Sequence, residues 1–337
     1  ITNFSFSQIY QIDNTFNIGD GFNDSAMLKD IEIQNDGKIL VIGSNFNSLN
    51  NITISSNVIR LNSDGTIDTE FANIITEPKC MVIQSDGKII VAGNSSSNNT
   101  RIIRFNSDGS QDNTFSVGVN ATDGFNDVIN KIDIDNNGRV IVFGDFTEYS
   151  GNSVKPLVRL NANGSLYFPF SAVTFTIRGF ELLNSGKILV SEVPNLLKRL
   201  NADGTLDNTY NTISGKAFNI FYESANGDFF SATKNQNSHT EIYKINANGS
   251  INNSTFNTYT ITDVGSSLSS LKELSNGQIL LSVRSGGTPE SKLILLNSDG
   301  FESNQNNFGS GFGFQYARDS AIQNDYKILL GGNFNSY

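Results

Sequence analysis

Residues 31–43 read IEIQNDGKILVIG, and this stretch is a strand, a turn and a second strand in that order. Apolar and polar residues alternate over 31–34, which is typical of a strand with one buried face, and 39–42 is a continuous apolar run. Gly37 closes the turn between them, because glycine adopts a positive φ without a Cβ clash. The stretch therefore predicts a β-hairpin.

The same hairpin pattern recurs along the whole chain. The further copies are MVIQSDGKIIVAG (81–93), IDIDNNGRVIVFG (132–144), FELLNSGKILVS (180–191), IFYESANGDFFSA (220–232), LKELSNGQILLS (271–282) and SAIQNDYKILLGG (320–332). The turn residue lies at 37, 87, 138, 186, 227, 277 and 326, and it is Gly in every copy except the last, which has Tyr326. A repeat of about fifty residues with this β pattern is typical of propeller blades.

A second recurring unit lies between the hairpins. Its copies are VIRLNSDGTIDTEF (58–71), IIRFNSDGSQDNTF (102–115), LVRLNANGSLYFPF (157–170), LKRLNADGTLDNTY (197–210), IYKINANGSINNSTF (242–256) and LILLNSDGFESNQNNF (293–308). Each copy predicts a short strand, an Asn-x-Asp/Asn-Gly turn and another short strand. Each repeat should therefore contain four strands, the number in one propeller blade.

The N-terminus predicts how the last blade is completed. QIYQIDNTF (8–16) resembles parts of the second unit, which is missing after the seventh hairpin. We expect residues 1–16 to add strand to the blade that contains residues 317–337, which closes the ring and removes exposed sheet edges. A linear solenoid is the rival architecture, but it requires polar end repeats that this chain lacks.

The combined pattern I-x-I-Q-x-D-G-K-I-L-V-x-G and I-x-R-L-N-x-D-G-[ST]-[ILQ]-D-x-x-F resembles the delta-60 repeat, a propeller-type β repeat. The resemblance covers nearly the whole chain and weakens in the fifth and sixth repeats. It implies an extracellular or virion setting, since repeats of this family occur in large secreted bacterial proteins and in bacteriophage tail or fibre proteins. It implies no catalytic residue set and no cofactor.

Composition limits the partners. The chain has 33 acidic and 23 basic side chains, and its net charge of −10 repels phosphate backbones and anionic lipid. No apolar run approaches the roughly 20 residues that span a bilayer. We therefore expect protein partners in a larger assembly, or a cell-surface glycan, with no nucleic acid and no membrane insertion. The single cysteine, Cys80, is predicted to be a buried, unreactive thiol.

Charged and polar residues recur at fixed places in the second unit. Arg60, Arg104, Arg159 and Arg199 are equivalent, and each should project toward a neighbouring Asp or the next blade. We expect charge pairing between blades, with ligand binding as the alternative. Sets such as Asn62, Asp64 and Asp68 resemble calcium ligands. The loop is too short for a true calcium loop, so we predict Asx turns and no metal site, with calcium as a minor alternative.

Aromatic residues follow the second strand of the hairpin in three repeats. They are Phe46, Phe146, Tyr149, Phe334 and Tyr337. Equivalent loops of a propeller share one face, so these residues are the predicted contact surface for a ligand or partner. Packing between neighbouring blades is the alternative for each of them.

These observations predict a single domain over residues 1–337, an all-β seven-bladed β-propeller with four-stranded antiparallel blades. We expect a non-enzymatic structural or binding module, first of all a bacteriophage tail or fibre component that mediates protein contact or host adhesion. His239 is the only histidine, which argues against Ser-His-Asp chemistry. Two alternatives remain: a module of a secreted bacterial surface protein that binds glycan or protein, and an extracellular carbohydrate-active enzyme, which needs two facing carboxylates within about 10 Å.

Overall fold

The structure is a computed structural model that describes residues 16, 22, 26–69, 71, 77–94, 102–115, 124–171, 173–263, 265–284, 290–304, 312–313, 316–323 and 327–333. Every regular element in these residues is a β-strand, and every strand pairing is antiparallel. In this part of the chain there is no helix that could cross a membrane. The all-β prediction is confirmed.

Among the described residues, seven sheets each begin with the two strands of a predicted hairpin. The first strands are β1 (Met27–Ile33), β6 (Glu77–Ile83), β9 (Ile129–Ile134), β14 (Ile177–Leu182), β18 (Ile220–Glu223), β22 (Ser267–Glu273) and β26 (Tyr316–Ile322). The second strands are β2 (Ile39–Ser44), β7 (Ile89–Asn94), β10 (Val140–Gly144), β15 (Ile188–Glu192), β19 (Phe229–Lys234), β23 (Ile279–Arg284) and β27 (Ile328–Asn333).

Further strands extend these sheets outwards. The third strands are β5 (Val58–Leu61), β8 (Ile102–Phe105), β13 (Leu157–Leu160), β16 (Leu196–Leu200), β20 (Thr240–Ile245) and β24 (Glu290–Leu296). Fourth strands are β17 (Ile213–Ser214), β21 (Tyr259–Ile261) and β25 (Phe312–Gly313). Two small hairpins pair β3 (Ser48–Leu49) with β4 (Ile52–Thr53) and β11 (Glu148–Tyr149) with β12 (Asn152–Ser153).

The fourth strand differs from the sequence prediction. In the described residues three sheets have four strands, three have three and one has two. The segment after the Asn-x-Asp/Asn-Gly turn, predicted as a strand, makes only a single bridge, such as Leu61 to Ile67. The Asp68 N–H donates to Arg60 O at 2.9 Å and the chain then turns away, so the ladder does not continue. The fourth strands β17, β21 and β25 come later in the sequence.

The hairpin turns form as their sequence predicts. Gly37 has a φ of 83°, and its N–H donates to Gln34 O at 2.9 Å. Gln34 N–H donates to Lys38 O at 2.8 Å, which closes the turn from the other side. The same positive φ occurs at the other five turn glycines, so these six turns share one backbone conformation.

Apolar side chains fill the space between successive sheets. Leu40 and Ile42 of β2 pack against Met81, Ile89 and Val91 of the next sheet, and all five are almost fully buried. Burial of one such side chain stabilises the fold by about 1.5–3 kcal/mol. Because equivalent clusters recur between later sheets, most of the core lies between sheets rather than at one centre.

The first and last sheets also pack together. Leu28 and Ile31 of β1 share a cluster with Ala321 and Leu329 of the last sheet. A Cβ at Gly331 would lie 2.3 Å from the Ile31 Cδ1 atom, so a larger residue there would displace the Ile31 side chain. We call this the closing contact. The predicted role of residues 1–16 falls largely outside the described residues, because 1–15 are not among them.

Candidate functional site in the axial channel

One cavity of about 810 Å³ is lined by the first strand of all seven sheets. Its wall includes Glu32, Val82, Asp133, Glu181 and Lys272, which stand five residues before the turn glycine of their hairpins. We call this cavity the axial channel. Sequence reasoning missed it, although these residues share one offset from a turn that the repeat pattern had already located.

Neighbouring first strands are joined across the channel wall at one equivalent position, seven residues before the turn residue. Asp30 Oδ2 accepts a hydrogen bond from the Met81 N–H of the second sheet at 2.9 Å. Asp319 Oδ2 accepts from the Ile31 N–H of the first sheet at 3.2 Å. The same kind of bond therefore joins the first sheet to the second and the last sheet to the first.

Other sheets use different groups at this position. Lys131 donates to Phe180 O at 3.0 Å and pairs with Glu181. The hydroxyl groups of Ser270 and Ser320 lie 2.6 Å apart. Because the backbone is repeated while the side chain varies, the chemistry of the wall changes from sheet to sheet.

Two carboxyl groups of the channel, those of Glu32 and Asp133, have a raised pKa. Burial raises the pKa of Glu32 to about 7, and Asp319 and Asp133 add to this while Lys272 opposes it. Burial and Glu181 raise the pKa of Asp133 to about 6, against the influence of Lys131. The channel wall thus contains acids that titrate near neutral pH.

The start of the first strand has a β-bulge in six of the seven sheets, and the bulged residue has no cross-strand partner. The bulged residues are Lys29, Lys79, Asn130, Arg178, Ser269 and Arg318. Four are basic and none is acidic, although the protein has a net charge of −10. We call the end of the channel next to these six residues the channel mouth. Bulges commonly redirect a side chain at functional sites.

The basic bulge residues are accessible. Lys29, Arg178 and Arg318 are exposed and Lys79 is half-buried. Lys29 Nζ donates to Pro78 O at 2.9 Å, so the first lysine reaches the second sheet. Its pKa is lowered by burial and by Lys79, while Glu77 opposes the shift. Glu77 and Lys79 thus act on Lys29 in opposite directions, and the effect of Glu77 is the larger.

The repeated arginines form ion pairs in three repeats, but the prediction that this charge pairing runs between blades is wrong. Arg60 Nε donates to Asp68 Oδ2 at 2.9 Å, and Lys38 Nζ lies 2.7 Å from the same oxygen. Arg60 also donates to Ser107 O in the next sheet. The ion pair therefore lies within one repeat, and the bond to the next sheet ends on a carbonyl. Arg104 and Arg199 repeat this arrangement.

The third repeat keeps the arginine, but its acidic partner comes from a different sequence position. Tyr167 stands where the repeats of Arg60, Arg104 and Arg199 have Asp, and Asp135 supplies the carboxylate instead. Asp135 Oδ2 lies 2.9 Å from Arg139 Nε and 3.7 Å from Arg159 Nε. The repeat thus retains a charged pair after losing its usual partner.

The turn acids take part in Asx turns, as predicted. Asp64 Oδ1 accepts from the Thr66 N–H at 3.0 Å and from its hydroxyl at 2.6 Å. Asp68, the third member of that set, is held by Lys38 and Arg60. Among the described residues no group of three or more His, Cys, Asp or Glu side chains is placed to hold a metal ion.

The aromatic contact surface predicted from the sequence is wrong for the residues that the structure describes. Phe46 is buried and stacks on Phe22 at 4.4 Å between ring centroids. Phe146 and Tyr149 are buried against Phe125, with centroids 4.2 and 4.5 Å away. The Tyr149 hydroxyl donates to Gly164 O. These rings therefore stabilise the fold by packing, because removing apolar surface from water is favourable.

Two further sequence predictions concern single residues. Phe334 and Tyr337 lie outside the described residues. Cys80 is half-buried in the channel wall, and burial together with Asp30 raises its pKa to about 12. The side chain is therefore a thiol at neutral pH, which agrees with the predicted lack of reactivity.

Four segments of the sequence match a family model described as "Domain of unknown function (DUF5122) beta-propeller". The matched residues are 34–71, 84–115, 136–166 and 192–210. The chain has a propeller-like fold. The match supports the propeller repeat predicted from the sequence, whereas the delta-60 name stays a prediction. No curated protein sequence matches this propeller.

Solved structures share the propeller fold at low sequence identity. The extracellular domain of BT4673 from B. thetaiotaomicron has a TM-score of 0.56 at 12% identity, over 91% of this chain and 38% of that one. The WD40 β-propeller domain of Doa1 has a TM-score of 0.55 at 12% identity, over 92% and 90%. YCF48 bound to D1 peptide has a TM-score of 0.54 at 11% identity, over 91% of both chains. The propeller thus spans about two-fifths of the BT4673 chain, and these likenesses concern the fold alone.

Proposed function

We propose that this protein is a non-enzymatic binding module whose channel mouth receives a carboxylate-bearing segment of a partner protein. The observation that carries the proposal is the set of six bulged residues, four of them basic and none acidic, on a protein of net charge −10. Complementary charge steers association and suppresses wrong partners. YCF48 bound to D1 peptide is a precedent for a peptide on this fold.

The architecture we propose is a closed ring of seven blades. Support comes from the bond between Asp319 and the Ile31 N–H, which has the same form as the bond between Asp30 and the Met81 N–H. A joint between the last and first sheets that repeats an internal joint is expected of a ring. Four-stranded blades throughout, and completion of the last blade by residues 1–16, belong to the same proposal.

We place this module in an extracellular or virion assembly, as a tail or fibre component of a bacteriophage. The resemblance to the delta-60 repeat supports this setting, and the extracellular domain of BT4673 is a propeller of similar fold. A secreted bacterial surface protein that binds glycan or protein is the alternative. Electron cryomicroscopy of the native assembly decides between them: density for the ring on a virion supports the first, and density on a cell surface supports the second.

The binding proposal is tested with poly-L-glutamate as the acidic probe. We expect the wild-type chain to bind it in a salt-dependent manner, and the triple variant Lys29→Gln, Lys79→Gln, Arg178→Gln to lose most of this binding. Lys155→Gln is the matched control, since Lys155 is an exposed lysine outside the six bulges. Equal loss in the control and the triple variant would show a non-specific charge effect and contradict the proposal. Binding of a neutral glycan instead would favour the alternative.

A carbohydrate-active enzyme is a second candidate, which the pKa values of the channel acids favour. A glycosidase needs a carboxyl group that is still protonated near neutral pH, and the pKa of Glu32 is raised to about 7. Asp30 and Asp319 do not fit this role, because they are hydrogen-bonded to each other and to backbone N–H groups. Hydrolysis of polysaccharide by the wild type and its loss in Glu32→Gln would establish the enzyme and displace the binding proposal.

A further inference from the structure

The closing contact contains two carboxyl groups in direct contact. Asp30 of β1 and Asp319 of β26 are hydrogen-bonded to each other through their side chains. Each also accepts from a backbone N–H: Asp30 from Met81 at 2.9 Å, and Asp319 from Ile31 at 3.2 Å. The pair therefore links three sheets, the last, the first and the second.

Two carboxyl groups form a hydrogen bond only if one of them carries a proton. Two ionised carboxylates in contact repel each other, which favours a proton on one of them, and the pKa of Asp30 is raised accordingly. The backbone bonds hold both groups in place, so neither can turn away without losing a partner. The proton is therefore part of the packing between the two sheets.

We propose that a proton shared by Asp30 and Asp319 holds the closing contact together, so that this contact weakens, and the ring opens more readily between its first and last sheets, as the pH rises. This inference rests on the observed contact between β1 and β26 and not on the identity of any partner. It describes a pH-sensitive joint in the ring.

Burial and the neighbouring acids raise the pKa of Asp30. Burial raises the pKa of Asp30 well above its usual range, and Asp319 and Glu32 raise it further, while the Met81 N–H opposes this. The Cys80 thiol faces Asp30 from β6. Lys272 of β22 and Asp133 of β9 face Glu32. The charged groups that act on Asp30 in the described structure are thus acidic.

The direction of the pH dependence follows from these facts. The folded state binds the Asp30 proton more tightly than the unfolded chain, whose aspartate has a pKa of about 4. The stabilisation is fully present below that pKa and is lost as the pH rises through the higher folded-state value. Raising the pH therefore weakens the joint.

The preceding joint provides a contrast. Between the sixth and seventh sheets the equivalent position contains the Ser270 and Ser320 hydroxyls, 2.6 Å apart. Hydroxyl groups do not ionise in this range, so that joint has no such dependence. The sensitivity is specific to the contact between the last and first sheets.

The test compares the wild type with Asp30→Asn between about pH 5 and pH 9. An asparagine amide donates to Asp319 without titrating, so the variant should melt at least roughly 3 °C higher than the wild type at the alkaline end. The exposed turn variant Asp86→Asn is the control and should follow the wild type. Parallel melting profiles for the wild type and Asp30→Asn would overturn the proposal.

Hydrogen exchange locates the pH-dependent opening within the structure. In the wild type, the protection factor of the Ile31 amide, which is bonded to Asp319, should fall with rising pH more than that of amides within β15, and Asp30→Asn should abolish the difference. Asp319→Asn is a second variant for the case that Asp30→Asn does not fold. If Glu32→Gln removes the pH dependence while Asp30→Asn keeps it, the relevant proton belongs to Glu32 and the proposal is wrong.

Discussion

Arg104 Nε donates to Asp112 Oδ2 at 2.9 Å, and the Arg104 guanidinium lies 4.8 Å from the ring centroid of Phe115. Lys88 Nζ lies 2.6 Å from the same carboxylate oxygen. One carboxylate thus compensates two cations, while the arginine also donates to Ala162 O in the next sheet. This arrangement joins the hairpin, the second unit and the following sheet of the propeller.

Replacement of Asp112 should therefore weaken a joint between sheets. Asp112→Asn removes the negative charge and leaves Arg104, which is 7% exposed, without an anionic partner. We expect a loss of about 2–3 kcal/mol in the free energy of unfolding, the usual value of hydrogen bonds to a charged group. Denaturant titration measures this loss. Asp86→Asn in an exposed turn is the control and should change stability by less than about 0.5 kcal/mol.

The lowered pKa of Asp112 predicts how the stability of the protein changes in acid. The hydrogen bonds from Lys88 and Thr114 hold the pKa of Asp112 well below its usual range. A carboxylate with a lowered folded-state pKa stabilises the fold above the unfolded value of about 4, and this stabilisation is lost as the pH falls. We expect the melting temperature of the wild type to fall below about pH 4, and that of Asp112→Asn to fall less. An equally steep fall in the variant would show that other groups control acid unfolding.

Sequence reasoning located the repeats because turn chemistry and strand periodicity are local. A glycine such as Gly37 marks a turn wherever a positive φ is needed, and its spacing revealed the seven hairpins. Reasoning from the sequence also anticipated that Arg60 pairs with an acid, since a charged residue in an apolar strand requires a partner, although it expected charge pairing between blades and Asp68 belongs to the same repeat. These features depend on residues that are near one another along the chain.

The axial channel could not be found in this way, because its wall joins residues far apart in sequence. Asp30 and Asp319 meet only after the last sheet packs on the first. The aromatic prediction failed for a related reason. Exposure of Phe146 depends on Phe125, which comes from the preceding connection and covers it. The identity of a loop residue does not reveal what packs over it.

The packing of Phe146 predicts the effect of replacing Gly144, which lies next to its ring. A Cβ at Gly144 would lie 2.1 Å from Val128 O and 2.8 Å from Phe146 Cδ1, so Gly144→Ala must displace backbone or ring. We expect a loss of about 1–3 kcal/mol in the free energy of unfolding, as for other overpacked sites. Gly179→Ala is the matched control, since nothing lies within 4 Å of its added Cβ, and should be nearly neutral. Similar losses in both variants would contradict the packing assigned to Phe146.

The role of residues 1–16 gives a final prediction. In the described structure β27 pairs with β26 only, so its other edge has no strand among the described residues. We propose that residues 8–16 pair there. Deletion of residues 1–16 should then lower the melting temperature by roughly 5 °C or more and promote association through the exposed edge. Deletion of residues 1–7 retains QIYQIDNTF and is the matched control. Calorimetry and light scattering measure both effects, and equal behaviour of the two deletions would show that the edge is completed by another part of the chain.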